Sequence, residues 1–270
     1  MRIDLHLHST ASDGALTPRA LVDRAAAGGL DVVALADHDT AAGVEEAVEA
    51  AGGRLHVVPA IELSAGHDGR DLHILGYGID PTTAELARYE AQARAGRSTR
   101  IRAMIERLEA LDVSVEFDAV VAEAGPDARA LARPHLARVL LADGHVTSFA
   151  EAFDRFIGDQ GPAYVPTEMV DVAGAIRLIH EAGGIAVWAH PPVRLLGPPL
   201  REFVEAGLDG IECYRPRVSE PDLRRLLAKA RRHHLLVGGG SDWHGDWHGE
   251  LGAFHLDRSE VGDLLDRLGL

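Results

Sequence analysis

Seven short apolar runs punctuate this chain, and the segments between most of them carry helix start and stop signals. The runs are Arg2–His8, Asp31–Ala36, Leu55–Ala60, Asp71–Ile79, Ile185–Ala189, Gly210–Cys213 and Leu235–Gly239. Thr17 followed by Pro18 reads as an N-cap and first helical residue, and Gly28-Gly29 closes that helix. Thr40 is expected to open a second helix ending at Gly52-Gly53. Asp171 to Glu181 forms another, closed by Gly183-Gly184, and Ser219 caps one that runs to about His234. Strand, helix, strand at this spacing predicts right-handed βαβ units and a parallel sheet.

One connection breaks the rhythm. Between the fourth and fifth runs, Ala84 to Leu111 has helical periodicity, and Phe117–Ala124, Ala130–Ala142 and Ser148–Ile157 read as shorter helices. The expected organisation is a barrel-like body over residues 1–80 and 162–270 with an all-helical insertion over 81–161.

Composition narrows the function. A chain of 270 residues with 46% hydrophobic content can bury a full core. Its 27 Lys and Arg against 42 Asp and Glu give a net charge of -15, and no Lys/Arg run occurs. A broad electrostatic binder of double-stranded nucleic acid is therefore not expected. Cys213 is the sole cysteine, which excludes an intramolecular disulfide and a multi-cysteine zinc site. No apolar stretch of about 18 residues appears, and the start MRIDLHLHS lacks a signal-peptide pattern. A cytoplasmic location and no membrane partner are expected.

The unusual number is 15 histidines. Six of them track the strands, chiefly at their ends. The first run ends in His6-Leu7-His8, and residues i and i+2 of a strand face the same side. The second leads into Asp37-His38-Asp39, the third into Glu62, and the fourth contains His73. The fifth ends at His190, and the seventh runs through three glycines to Asp242-Trp243-His244. Singly, each has an ordinary explanation as a turn, a loop or a satisfied core histidine. Jointly, six of seven strands bring His, Asp or Glu to one rim, where parallel barrels keep their working residues. That predicts a metal site.

The segments HLHSTASDG, ADHDT, IEL, DLHILGYG, AYVP, WAHP and GGSDWHG occur in this order from Met1 to about Gly249. Together they resemble the polymerase and histidinol phosphatase (PHP) domain family. The resemblance implies a distorted (β/α)7 barrel holding up to three divalent metals on His6, His8, Asp13, His38, Glu62, His73, His190, Asp242 and His244. It further implies that His6, His8, Glu62 and Asp242 hold one ion. Glu62, His73 and His190 hold a second, and Asp13, His38 and His244 a third. An all-N,O donor set suits Mn²⁺, Fe²⁺ or Zn²⁺, with Mn²⁺ the first expectation. Three divalent ions among three carboxylates and a hydroxide leave a positive pit, so an acidic protein can still take a phosphate.

The implied mechanism is attack by a metal-bridging hydroxide on a phosphomonoester, with Glu62, Asp242 and His190 as the catalytic set. Asp37 and Asp39 are expected to orient ligating histidines. Within the insertion, Arg133-Pro134-His135 is the best candidate for a second phosphate, followed by Arg97 and Arg100 at helical spacing. The segments RPHLAR and PAYVP resemble the nucleoside 3',5'-bisphosphate phosphatase branch, whose members also act as 5'-to-3' exoribonucleases on short RNA. The expected substrate is thus a small phosphorylated nucleotide or a short RNA. Histidinol phosphate is the alternative substrate, and an amidohydrolase acting on a C–N bond is the alternative from another class. The sequence says nothing about oligomeric state.

Overall fold

The computed structural model describes residues 1–166 and 170–270. Seven strands form one sheet in sequence order: β1 (Ile3–Leu7), β2 (Val32–Leu35), β3 (His56–His67), β4 (Arg70–Tyr77), β5 (Ile185–Trp188), β6 (Gly210–Tyr214) and β7 (Leu236–Gly239). Among the described residues there are ten α-helices: α1 (Pro18–Ala27), α2 (Val44–Ala51), α3 (Ala84–Glu109), α4 (Phe117–Ala124), α5 (Arg133–Ala142), α6 (Phe149–Ala152), α7 (Val172–Glu181), α8 (Pro198–Glu205), α9 (Glu220–His233) and α10 (Arg258–Arg267).

The sheet is not parallel throughout. β1, β2 and β3 are parallel, as are β5, β6 and β7, but β4 runs antiparallel to both its neighbours. The third strand does not stop at Ala60. It continues to His67, turns through Asp68 and Gly69, and returns directly as β4 without a helix. Both turn residues have positive φ, 49° and 72°. An Asp-Gly pair adopts that conformation readily and its twist matches the flanking strands, which makes it a strong hairpin signal. This reversal brings the first half of β4 to the rim where its parallel neighbours end. His73 lies opposite Ser64, and Leu75 opposite Glu62.

The sheet curls until the segment beyond β7 meets β1. The His8 N–H donates to the Trp243 carbonyl (3.0 Å), and the Trp243 N–H to the His6 carbonyl (3.3 Å). Gly240 permits the approach, since a Cβ there would stand 2.3 Å from the Cβ of His6. A register shift in β1 between Asp4 and Leu7 re-aims the strand. Ile3 and Leu5 join Val32, Val58, Leu75 and Val187 in a buried cluster, closed by Leu264 and Leu265 of α10, while Leu7 packs in a different cluster with α1.

Helix boundaries follow local chemistry. Thr17 Oγ1 accepts the Ala20 N–H at the start of α1, and Ser219 Oγ accepts the Asp222 N–H at the start of α9. Thr40 does not open α2, which begins only after Gly43. The backbone there is committed elsewhere: the Asp39 N–H donates to the Glu62 carbonyl and the Ala41 N–H to Glu90 Oε1. α5 begins at Arg133 rather than Ala130, because Pro134 is tolerated only in a first turn. The last expected helix is split into α6 and a π-helical turn over Phe153–Ile157.

The helices between β4 and β5 have their own apolar centre, formed by Ile101, Met104, Leu108, Val120, Leu136, Leu140 and Ile157. The first half of α3 belongs instead to the sheet: Leu86, Tyr89 and Ala93 pack with Ile61, Leu63 and Ile74. α3 is therefore the beam joining the two parts.

Candidate metal centre

All nine residues singled out as ligands converge at one rim. Nε2 of His6 lies 3.3 Å from Glu62 Oε2 and 3.4 Å from Asp242 Oδ1. Nε2 of His8 lies 3.3 and 3.2 Å from the same two oxygens. The other Glu62 oxygen, Oε1, faces His73 Nδ1 at 3.1 Å and His190 Nε2 at 3.0 Å, and those two nitrogens are 3.3 Å apart. Asp13 gathers His244 at 3.3 Å and His38 at 3.9 Å. Donor atoms within 4.8 Å of one another define three overlapping groups: His6, His8, Glu62 and Asp242; His8, Asp13, His38 and His244; and His38, Glu62 and His73. Glu62 is central, fully buried and shared.

The donor chemistry fits cations better than hydrogen bonds. Nε2 of His6, both ring nitrogens of His8, Nδ1 of His38, Oδ1 of Asp13 and Oε2 of Glu62 are buried without a hydrogen-bond partner among the described residues. Orphaned buried polar atoms are costly, and here they crowd around shared centres with lone pairs converging. A divalent ion satisfies several at once. Nitrogen and carboxylate oxygen without thiolate is a donor set for Mn²⁺, Fe²⁺ or Zn²⁺.

Burial opposes ionisation of these carboxyls, but the ring of histidines overrides it. Glu62 is held well below the usual carboxylate range by His73, His38 and His6, and Asp13 by His244 and His38. Asp242 is likewise held low, chiefly by His6. Conversely, burial would lower His6, yet Glu62, Asp242 and Glu212 hold it well above its ordinary value.

Backbone strain marks the same positions. His190 and Asp242 have φ of 33° and 54°. Left-handed conformations of residues other than glycine are uncommon, and they persist where surrounding contacts enforce them. For His190 the enforcing contact is its N–H, which donates to Glu212 Oε2 at 2.6 Å.

Glu212 was not anticipated. It supplies the missing seventh strand: β6 contributes this fully buried carboxylate, whose Oε1 accepts from His6 Nδ1 at 3.0 Å. The available signal was a single charge inside the apolar run Gly-Ile-Glu-Cys-Tyr. Asp4 was also missed. Its Oδ1 accepts the Ser241 N–H at 2.8 Å, and burial pushes its carboxyl up to about 7.

Asp37 and Asp39 do not contact a histidine ring by hydrogen bond. Asp37 accepts from the Ser9 N–H, the Ser9 hydroxyl and the Ser12 hydroxyl at 2.8, 2.6 and 2.6 Å. It thereby clamps the loop that carries His8 and Asp13. Asp39 accepts from the Ser64 N–H (2.7 Å), Arg97 Nε (2.6 Å) and the Tyr89 hydroxyl. These aspartates shape the ligand loops through the backbone rather than through the rings.

A cleft of about 320 Å³ opens from the centre. Asp13, His38, His73, His190, Asp242 and His244 line it together with Asp71, Arg100, Arg133 and Phe153; Arg100 and Arg133 both lie over the Tyr164 ring, at 5.6 and 5.5 Å. Arg97 lines it too, but its nitrogens are committed to Asp39, Ser64 Oγ (2.9 Å) and the Leu131 carbonyl (3.1 Å). Arg100 donates from Nε to the Val165 carbonyl and from Nη2 to Asp71, at 2.7 and 2.6 Å. Arg133 uses Nη1 alone, toward Asp159 and the Ile157 carbonyl. His135 does not line the cleft. Its Nδ1 accepts the Ala132 N–H at 3.0 Å, and burial lowers its pKa to about 4.

Comparison with known proteins agrees with this geometry. Residues 4–115 match the PHP domain model. The chain is 35% identical over 251 residues to the 5'-3' exoribonuclease Rnm of Escherichia coli, covering 89% of this chain and 84% of that protein. It is 36% identical over 261 residues to the 3',5'-nucleoside bisphosphate phosphatase of Chromobacterium violaceum, covering 94% and 91%.

The chain belongs to the PHP family.

A solved structure from Bifidobacterium adolescentis, assigned as a metal-dependent phosphoesterase, superposes with a TM-score of 0.88 at 36% identity, covering 98% of this chain and 96% of the other. This PHP protein is accordingly a hydrolase, a metal-dependent phosphoesterase. No helix among its described residues is long and apolar enough to cross a membrane.

Proposed function

We propose that this PHP protein removes the 3' phosphate from nucleoside 3',5'-bisphosphates, and that the same centre trims short RNA from its 5' end. The carrying observation is one cleft lined both by the ligand candidates and by the guanidinium groups of Arg100 and Arg133. A simple monophosphate needs only the ligand candidates. Two phosphates on one ribose use the arginines as well. Relatives named for each of these activities cover most of the chain.

In this proposal His6, His8, Glu62 and Asp242 hold one divalent cation, Glu62 with His73 and His190 a second, and Asp13 with His38 and His244 a third. Mn²⁺ is the first choice, with Fe²⁺ or Zn²⁺ as alternatives. Such ions supply Lewis acidity toward phosphoryl oxygens and a water that ionises near neutral pH. The chain's own residues supply position. Glu62 and Asp242 fix the spacing of the nest. His190, one-third exposed on the cleft wall, faces the leaving 3' oxygen. Arg133 holds the 5' phosphate through Nε and Nη2, which no described residue engages, and Arg100 assists through Nη1. Arg97 and His135 act through the roof they stiffen. Residues 81–161 form that roof, select substrates and exclude water. The protein acts in the cytoplasm.

The deciding experiment is phosphate release from adenosine 3',5'-bisphosphate, histidinol phosphate and p-nitrophenyl phosphate, run beside hydrolysis of an N-acyl amino acid. The bisphosphate is expected to have the highest kcat/KM. A preference for histidinol phosphate overturns the substrate assignment, and activity confined to the amide overturns the phosphatase itself.

A further inference from the structure

Outside the cleft, a groove of about 230 Å³ lies between α3 and α4, lined by Arg94, Ser98, Arg102, Phe117, Arg129 and Leu131. Arg94, Ser98 and Arg102 follow one another at i, i+4 and i+8, so they share one face of α3. All three groove arginines are exposed. No described carboxylate lies within 4.0 Å of any of them, the ion-pair limit. The other arginines of residues 81–161 are engaged: Arg88 by Glu85, Arg97 by Asp39, Arg100 by Asp71, Arg133 by Asp159, Arg138 by Glu123, Arg155 by Glu151, and Arg107 by the Tyr164 carbonyl. In a chain at -15, acidic partners are plentiful. Three like charges left together without one form a local anion-binding field.

The groove adjoins the metal cleft. Leu131 lines the groove, while its neighbours Ala132 and Arg133 line the cleft. The Arg129 N–H donates to the carbonyl of Ala11 at 2.7 Å, within the loop between His8 and Asp13. That contact sets the groove beside the loop carrying Asp13, on the side of the cleft where the metal-ligand candidates lie. The guanidinium of Arg102 lies 3.5 Å over the ring of Phe117, giving a flat cationic surface on which an unpaired base can stack.

We infer that this groove is an exosite for the phosphodiester backbone of a single-stranded RNA tail. Arg94 and Arg129 neutralise successive phosphates, and Arg102 on Phe117 stacks a base. The inference rests on the oligonucleotide activity proposed above and adds the element that favours longer substrates.

The test compares adenosine 3',5'-bisphosphate with 5'-phosphorylated RNAs of two and ten nucleotides, using the metal-loaded enzyme. The variant carries Arg94→Ala, Arg102→Gln and Arg129→Ala, and thermal unfolding verifies its fold. The expected result is unchanged kcat/KM for the bisphosphate, a small change for the dinucleotide and a large loss for the ten-mer. The log–log salt dependence for the ten-mer should flatten by about 1.4, from two lost phosphate contacts at about 0.7 each. A ten-mer cleaved as well by the variant as by wild type overturns the exosite, as does an equal loss on all three substrates or a wild-type enzyme that does not cleave the ten-mer. An enzyme inert toward the bisphosphate overturns the proposed function instead, and leaves the ten-mer comparison to judge the groove.

Discussion

Nδ1 of His6 lies 3.0 Å from Glu212 Oε1, at full burial. The Glu212 oxygen accepts from Nδ1–H, which leaves Nε2 as the nitrogen that offers a lone pair to a metal ion beside Glu62 and Asp242 once its own proton is displaced. Glu212 thus sets a tautomer, and its second oxygen anchors the strained backbone of His190. Glu212→Gln keeps the shape but can present an amide N–H in place of an acceptor. Metal affinity should fall about 10- to 100-fold, the range for residues that orient metal-bound histidines. Calorimetric titration with Mn²⁺ measures it, and excess metal should restore most of the activity.

Glu62→Gln should be far more severe. Glu62 is shared between donor groups, and both its oxygens are used. The loss of kcat should exceed the roughly hundredfold upper range for supporting residues, with a measured fall in bound metal per chain. Near wild-type turnover at full metal content would remove the shared carboxylate from the proposed mechanism.

Arg133→Ala should separate substrates. Losing hydrogen bonds from a charged donor costs about 1.5–3 kcal/mol, or roughly 10- to 100-fold. That loss should fall on the bisphosphate and spare p-nitrophenyl phosphate, which has no second phosphate. Steady-state kinetics on the pair checks it.

His135 makes stability acid-sensitive. Its pKa is about 4 in the folded protein, against 6.5 ordinarily. Between those values the unfolded chain binds a proton that the folded chain refuses. Stability from this residue is therefore complete above pH 6.5 and falls as pH drops toward 4, by about 3 kcal/mol in all. Asn at 135 keeps an acceptor for the Ala132 N–H and cannot titrate. Urea unfolding of wild type and His135→Asn should differ in pH slope only within this window.

Metal should stabilise the fold measurably. Binding at a hundred times Kd adds about 2.7 kcal/mol per independent site. At 2–4 °C per kcal/mol for a chain of this size, one site raises Tm by about 5–10 °C. Scanning calorimetry of chelator-treated protein, with and without Mn²⁺, reads the shift. No shift with any divalent ion would contradict the nest of orphaned donors.

Much of the centre was legible because its residues break local patterns. His6-Leu7-His8 and Asp242-Trp243-His244 put polar groups where apolar strands end; period-two geometry aims the first pair, while the second lies beyond β7 with Asp242 in left-handed backbone. Glu212 was harder to find, since one carboxylate inside a buried strand has no periodic signature. The reversal of β4 has a faint signature, because the Asp68-Gly69 turn follows Ser64-Ala65-Gly66-His67, a stretch without the apolar run that marks Leu55–Ala60 as a strand. The commitments of Arg97 and His135 were not legible at all. Spacing shows that Arg97 and Arg100 share a helix face, but partners such as Asp39 and Leu131 come from distant segments of the chain.

Because β4 runs back from the rim, the chain reaches the base of the sheet before α3 begins. That helix has 26 residues, and at about 1.5 Å each it stands roughly 39 Å tall. It works as a gauge rod between the floor of the molecule and its roof. Arg97 and Arg100 ride on it at fixed height, pinned by Asp39 and Asp71. A turn added to or removed from the rod beyond Arg100 would shift the far helices by about 5 Å and leave the Arg97–Asp39 and Arg100–Asp71 pairs in place. Under the proposed function, substrate size and hydrolytic chemistry are thus separately adjustable.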